Sequence, residues 1–90
     1  MKYIMFMKYL DNNMVQNIPI IFPSDLVHDD VAIACRSING LENTDIVSAG
    51  DYDIIDNLCY GESETLNIKS RLEEDSAIIL TYDYVHGIRY

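Results

Sequence analysis

Positions 2–10, KYIMFMKYL, are dense in aromatic and branched residues and predict a strand. Asp11-Asn12-Asn13 follows as a turn, because Asx side chains bond nearby backbone and tolerate left-handed conformations. The run 14–22, MVQNIPIIF, reads as the returning strand of a hairpin. Pro19 has no N–H to give a ladder, which places this strand at an edge or at a bulge. At Pro23-Ser24 the rhythm changes. Ser24 is a good N-cap, and Asp25, Asp29 and Asp30 put negative charge where a helix dipole favours it. Val27, Val31, Ala34 and Ile38 recur at helical spacing, with Leu26, Ile33 and Cys35 widening the stripe, and predict a helix over 25–38. Arg36 suits its last turn and Gly40 its C-cap.

A second cycle begins at Thr44. Residues 45–50, DIVSAG, predict a strand entering a glycine kink, continued by Tyr52 and Ile54 to a turn at Asp56-Asn57. Leu58-Cys59-Tyr60 returns from that turn, 61–65 is a polar loop or bulge, and 66–68 is a further short strand. Ser70 with Glu73 has the spacing of a capping box, opening a helix over 71–82 with Leu72, Ser76, Ile79 and Tyr82 on one side. Ile78, Leu80, Tyr82 and Tyr84 also alternate as a strand would. The explicit cap favours helix, with an irregular tail over 84–90 and Gly87 as the stop. The order predicts one α+β domain over 1–90: a small antiparallel sheet with two helices on one face, in ββαββα-like order. Such an arrangement leaves a bare sheet face and open edges, so a homo-oligomer is expected.

Charge removes several classes of function. Fifteen Asp and Glu stand against six Lys and Arg, a net charge of −9. A footprint on duplex DNA or RNA needs basic residues that displace counterions, so no direct nucleic-acid partner is expected. An anionic membrane surface is disfavoured for the same reason, and no apolar run reaches a spanning length. Residues 1–9, MKYIMFMKY, are too short and too interrupted by Lys8 to read as a secretory signal, which points to the cytoplasm. Cys35 and Cys59 lie far apart without a CxxC, and two scattered His add little. Free buried thiols are therefore expected rather than a zinc site or a disulfide, and no cofactor or metal is implied.

Catalytic groups are sparse. Asp29-Asp30, Asp51 with Asp53, and Glu73-Glu74-Asp75 pair carboxylates, but helix-start electrostatics and a solvated surface account for them. No GxSxG elbow accompanies Ser63 or Ser70, and His28 reads as a helix-start residue, so an enzyme is not expected. The suggestive stretch is 59–71, CYGESETLNIKSR. Lys69 and Arg71 flank Ser70 where a helix begins, and a helix N-terminus with two cations suits an anion. Pairing of those cations with Glu62, Glu64, Glu73 or Glu74 is the competing structural explanation.

These same residues resemble a family of small, largely uncharacterised bacteriophage proteins. The resemblance is carried by Val47-Ser48-Ala49-Gly50, Cys59-Tyr60-Gly61-Glu62-Ser63, Lys69-Ser70-Arg71 with Leu66 and Glu73, and Val27 to Ala32, within about residues 18–79. Leu72 stands where that family usually has Pro, Asp51 precedes Tyr52 where an aromatic is usual, and Glu74 replaces Asp. The resemblance implies a helix at 71–82, a phage origin and a bacterial cytoplasm, but supplies no activity. Small phage proteins often counter host defence. The expected function is therefore sequestration of an anionic, nucleotide-derived signal by a non-enzymatic protein. Lys69, Ser70 and Arg71 would hold phosphate, with Ser63, His28 and Tyr60 beside them, the tyrosine stacking on a base. The alternative is an acidic inhibitor that binds a host defence protein by imitating nucleic-acid phosphates.

Overall fold

The computed structural model describes residues 1–38 and 40–86, the last four through their backbone. Strand β1 (Lys2–Tyr9) and β2 (Val15–Phe22) form the expected hairpin, paired without a register break from Tyr9 opposite Val15 to Lys2 opposite Phe22. A short 3₁₀ turn over Asp11–Asn13 joins them. Asn12 and Asn13 there adopt φ of 69° and 60°, the left-handed region that Asn tolerates better than most residues. Helix α1 (His28–Cys35) carries the chain over β1 to β3 (Asp45–Asp53), which pairs antiparallel with β1. β4 (Leu58–Tyr60) completes a four-stranded sheet of order β2-β1-β3-β4. β5 (Glu62–Ser63), in the stretch expected as a loop, pairs with β6 (Ile68–Lys69), which overlaps the short strand expected over 66–68, as a second, two-stranded sheet, and α2 (Leu72–His86) follows. The antiparallel α+β architecture with two helices thus stands, with Pro19 on an edge strand as its chemistry requires.

The helices do not share a face. Side chains alternate along a strand, so Ile4 and Phe6 of β1 face one way and Tyr3 and Met5 the other. Ile4 and Phe6 pack with Phe22, Ala49, Leu41 and the α1 residues Ala32 and Cys35, and Leu66 and Ile68 of the β5–β6 unit close this side. Tyr3 and Met5 pack with Tyr52, Cys59 and Ile79 of α2 on the opposite side. The face expected to lie bare is the one α2 covers. A bulge between Met5 and Phe6 in the β1–β3 pairing lets Val47 and Ser48 both serve that second side.

Several local expectations shift. Helix α1 starts at His28, not near Ser24, and Val27 precedes it without a side-chain cap. Its inward stripe is His28, Val31, Ala32 and Cys35, while Ile33, Ala34 and Ile38 are exposed, because packing selects the face carrying small residues and a satisfied imidazole. Gly40, with φ of 97°, lies in the turn beyond the helix end rather than at its C-cap. The Ser70–Glu73 box does not form either. Asp75 N–H donates to Arg71 carbonyl (2.8 Å), which makes Arg71 the first residue of the helical ladder. Of the expected tail, 84–86 belong to α2, and 87–90, Gly87 included, lie outside the described residues.

Candidate functional site

Gly50 brings together at one corner three of the six residues read as an anion site: His28, Tyr60 and Ser70. Gly50, in β3, is buried, and a Cβ placed on it would stand 2.4 Å from the Tyr60 carbonyl oxygen, 3.2 Å from Ser70 Cβ and 3.3 Å from the Gly61 carbonyl carbon. Only a missing side chain lets β3, the β4–β5 junction and the start of α2 approach so closely. His28 Nε2 donates to the Gly50 carbonyl (2.9 Å), so the α1 start is tied to the same point. Because a carbonyl only accepts, the proton sits on Nε2. The imidazole is buried and meets Phe22 edge-on at 5.4 Å.

Most polar groups here are spent on joining elements. Ser70 gives both its N–H (3.0 Å) and its hydroxyl (2.8 Å) to the Gly61 carbonyl. Ser63 is buried and accepts from Leu66 N–H (3.2 Å), closing the β5–β6 turn. Thr65 Oγ1 accepts from Asp29 N–H (3.2 Å), satisfying one orphan donor at the α1 start. Lys69 is exposed opposite Glu62, and Tyr60 is about half exposed.

Arg71 is taken up by Asp75 and Glu74. Its Nε and one terminal nitrogen reach Asp75 Oδ1 at 3.1 and 2.9 Å, and its other terminal nitrogen lies 3.3 Å from Glu74 Oε2. Asp75 Oδ2 accepts Arg71 N–H (3.0 Å) and the Tyr3 hydroxyl (2.5 Å). Asp75 and Tyr3 are fully buried while Arg71 is part-exposed, so this is a half-buried ion pair whose buried carboxylate is completed by a phenol. The competing explanation holds in part: Glu74 is one of the acids expected to pair with Arg71, but the main partner, Asp75, was not among them. Burial raises the Tyr3 pKa most, and the Asp75 hydrogen bond and charge add to it. Ser48 beside it pulls the other way, although its buried Oγ reaches no partner at hydrogen-bond geometry among the described residues. The neighbouring Cys59 thiol is pushed up to about 11, chiefly by burial.

Two more polar residues fasten α2. Asn57 Nδ2 donates to the Ser76 carbonyl (3.0 Å) while its Oδ1 accepts from the Tyr52 hydroxyl (2.6 Å). Ser76 Oγ accepts from Cys59 N–H (2.9 Å). Asp75 and Asn57 were the residues a surface reading of the sequence missed. The spacing of Arg71 and Asp75, four apart on a helix, was the available signal.

Paired carboxylates do not assemble a cation site. Asp53 Oδ1 accepts the N–H groups of Ile55 and Asp56, Asp75 is buried, and no group of three His, Cys, Asp or Glu among the described residues is placed to hold a metal ion. Cys35 and Cys59 are free buried thiols. No helix among the described residues is long and apolar enough to cross a membrane. Comparison with protein-family models, curated proteins and solved structures finds no match to this chain.

What the corner presents outward is mostly negative charge, with Lys69 as an exposed cation among the acids. The Gly50 junction and the Thr65–Asp29 bond bring together the α1 start, the β5–β6 unit and the α2 start. Asp29, Asp30, Glu62, Glu64, Glu73 and Glu74 are exposed on these three elements.

Proposed function

We propose that the protein is a non-enzymatic binding protein whose acidic surface engages a basic groove on a partner protein, in the manner of nucleic-acid phosphates. One observation carries this reading: carboxylates from three elements stand exposed at this corner while Arg71 is taken up by Asp75 and Glu74. Two further cations are occupied, while Lys69 stands exposed at the corner. Lys2 Nζ donates to the Leu26 carbonyl (2.8 Å) and Arg36 to the Thr44 carbonyl (3.3 Å). Fixed like charges on a small body generate a field that steers a basic partner and raises its association rate. The resemblance to small phage proteins supplies the partner class, a nucleic-acid-binding protein of host defence in the bacterial cytoplasm.

Sequestration of a nucleotide-derived anion is the weaker reading. It would require the ligand to displace Asp75 and Glu74 from Arg71, leaving a buried carboxylate without its counter-charge. Binding to a panel of bacterial nucleases, measured by biolayer interferometry across salt concentrations with duplex DNA as competitor, tests the proposal. Binding should weaken steeply with salt, yield to duplex DNA, and fall in Asp29→Lys/Glu64→Lys. A salt-insensitive complex, or one that duplex DNA leaves intact, sinks it.

A further inference from the structure

β2 is the outer strand of the sheet, and its hydrogen-bond phase can be read from one contact. Leu10 N–H donates to the Met14 carbonyl at 2.8 Å, which makes that a hydrogen-bonded pair. Bonded and non-bonded pairs alternate along an antiparallel ladder, and the β1–β2 register is unbroken. Gln16, Ile18, Ile20 and Phe22 therefore bond to β1, while Val15, Asn17, Pro19 and Ile21 turn their backbone groups outward. The far side of β1 agrees: the Met1 carbonyl, odd in this count, accepts from Tyr52 N–H in β3 at 2.9 Å. Among the described residues no strand lies beyond β2 and no backbone bond reaches the outward groups of Val15, Asn17 or Ile21. The strand is VQNIPIIF, without a charge, and such an edge is a template for another chain. Its one interruption is Pro19.

We infer that Pro19 keeps the β2 edge from pairing with a second copy of this chain. In antiparallel self-pairing centred on Ile18, Val15 meets Ile21 and Asn17 meets Pro19. Both Asn17–Pro19 pairs flank the axis, and each loses the bond a Pro19 N–H would have made. Centring on Pro19 sets two rings against one another, and centring on Asn17 sets Val15 against Pro19. Registers that avoid the proline keep only the stub at Val15–Asn17 or the single outward residue Ile21. No other residue on the strand supplies a charge to do this work.

Pro19→Val tests the inference, with Pro19→Ala restoring the same outward N–H by the smallest side chain. Sedimentation velocity and amide hydrogen exchange are read on both variants and on the native chain. The native chain should exchange the Asn17 and Ile21 amides rapidly. Either variant should gain a concentration-dependent species of at least twice the mass, with those two amides slowed by about tenfold or more. Adding Asn17→Pro to Pro19→Val, which puts a proline at a neighbouring outward position, should return the mass of the native chain. Unchanged mass and exchange in both variants overturns the inference. So does protection of Asn17 and Ile21 in the native chain.

Discussion

Gly50 is the residue on which the corner turns, because three segments meet where its side chain would be. Gly50→Ala drives a methyl group into a backbone carbonyl that has no rotamer to yield, so the cost is expected near the top of the overpacking range, about 3 kcal/mol in urea unfolding. Asn57 combines two roles that substitutions can separate. Its φ of 51° disfavours most side chains, and its amide joins Tyr52 to Ser76. Asn57→Gly should lose only the bonds, and Asn57→Ala about 1 kcal/mol more from backbone strain. Cys59 gives a signed pH dependence. Its thiol is raised from an ordinary value of 9.0 to about 11, so above pH 9 the unfolded chain releases a proton that the folded chain keeps. Below pH 9 both states hold that proton and the group contributes no slope. Between pH 9 and 11 stability should fall by up to about 1.4 kcal/mol per unit. Cys59→Ala should flatten that decline in urea titrations. The Tyr3 hydroxyl and Cys35 thiol are raised too, so some slope remains in the variant.

At the scale of elements, the strands were the legible part. Aromatic and branched residues between turn signals located β1, β2, β3 and β4, and the missing donor of Pro19 placed β2 at an edge. The helices were legible in kind but not in face. Hydrophobicity along 25–38 pointed to Val27, Val31, Ala34 and Ile38, whereas the packed stripe includes a histidine whose polar tip is satisfied 22 residues away. Likewise, nothing local says that Asp75 is buried, since its phenol partner is 72 residues earlier. Lys69, Ser70 and Arg71 do stand at a helix start, but Ser70 and Arg71 bond within the chain and only Lys69 stays exposed. The four-residue spacing to Asp75 signals a pairing without telling that the acid is buried. Helix α2 leans on the sheet through Asp75, Ser76 and Ile79 together. Asp75→Ala leaves an arginine and a buried phenol without their acceptor and should cost about 3 kcal/mol, discounted for the part-exposed Arg71. Tyr3→Phe keeps the ion pair and should cost about 1 kcal/mol. Chemical denaturation followed by circular dichroism checks both.

The whole molecule carries its charge lopsidedly. Acids are spread over the surface and concentrated at the corner, while at least three of the cations serve as internal fasteners. Self-repulsion of this surface should make the fold more stable as salt rises, seen as an upward shift in thermal midpoint between low and moderate ionic strength. The same salt should loosen a complex with a basic partner. Opposite responses to one variable would separate folding from binding without any substitution. The sheet also divides the interior into two compartments, and the chain has placed one thiol in each: Cys35 beneath α1 and Cys59 beneath α2. Brief alkylation followed by peptide mass spectrometry therefore reads the two sides separately. If α2 lifts before the rest of the fold yields, Cys59 is tagged while Cys35 stays untouched. The unmodified protein thus carries its own two-channel clock for the order in which it comes apart.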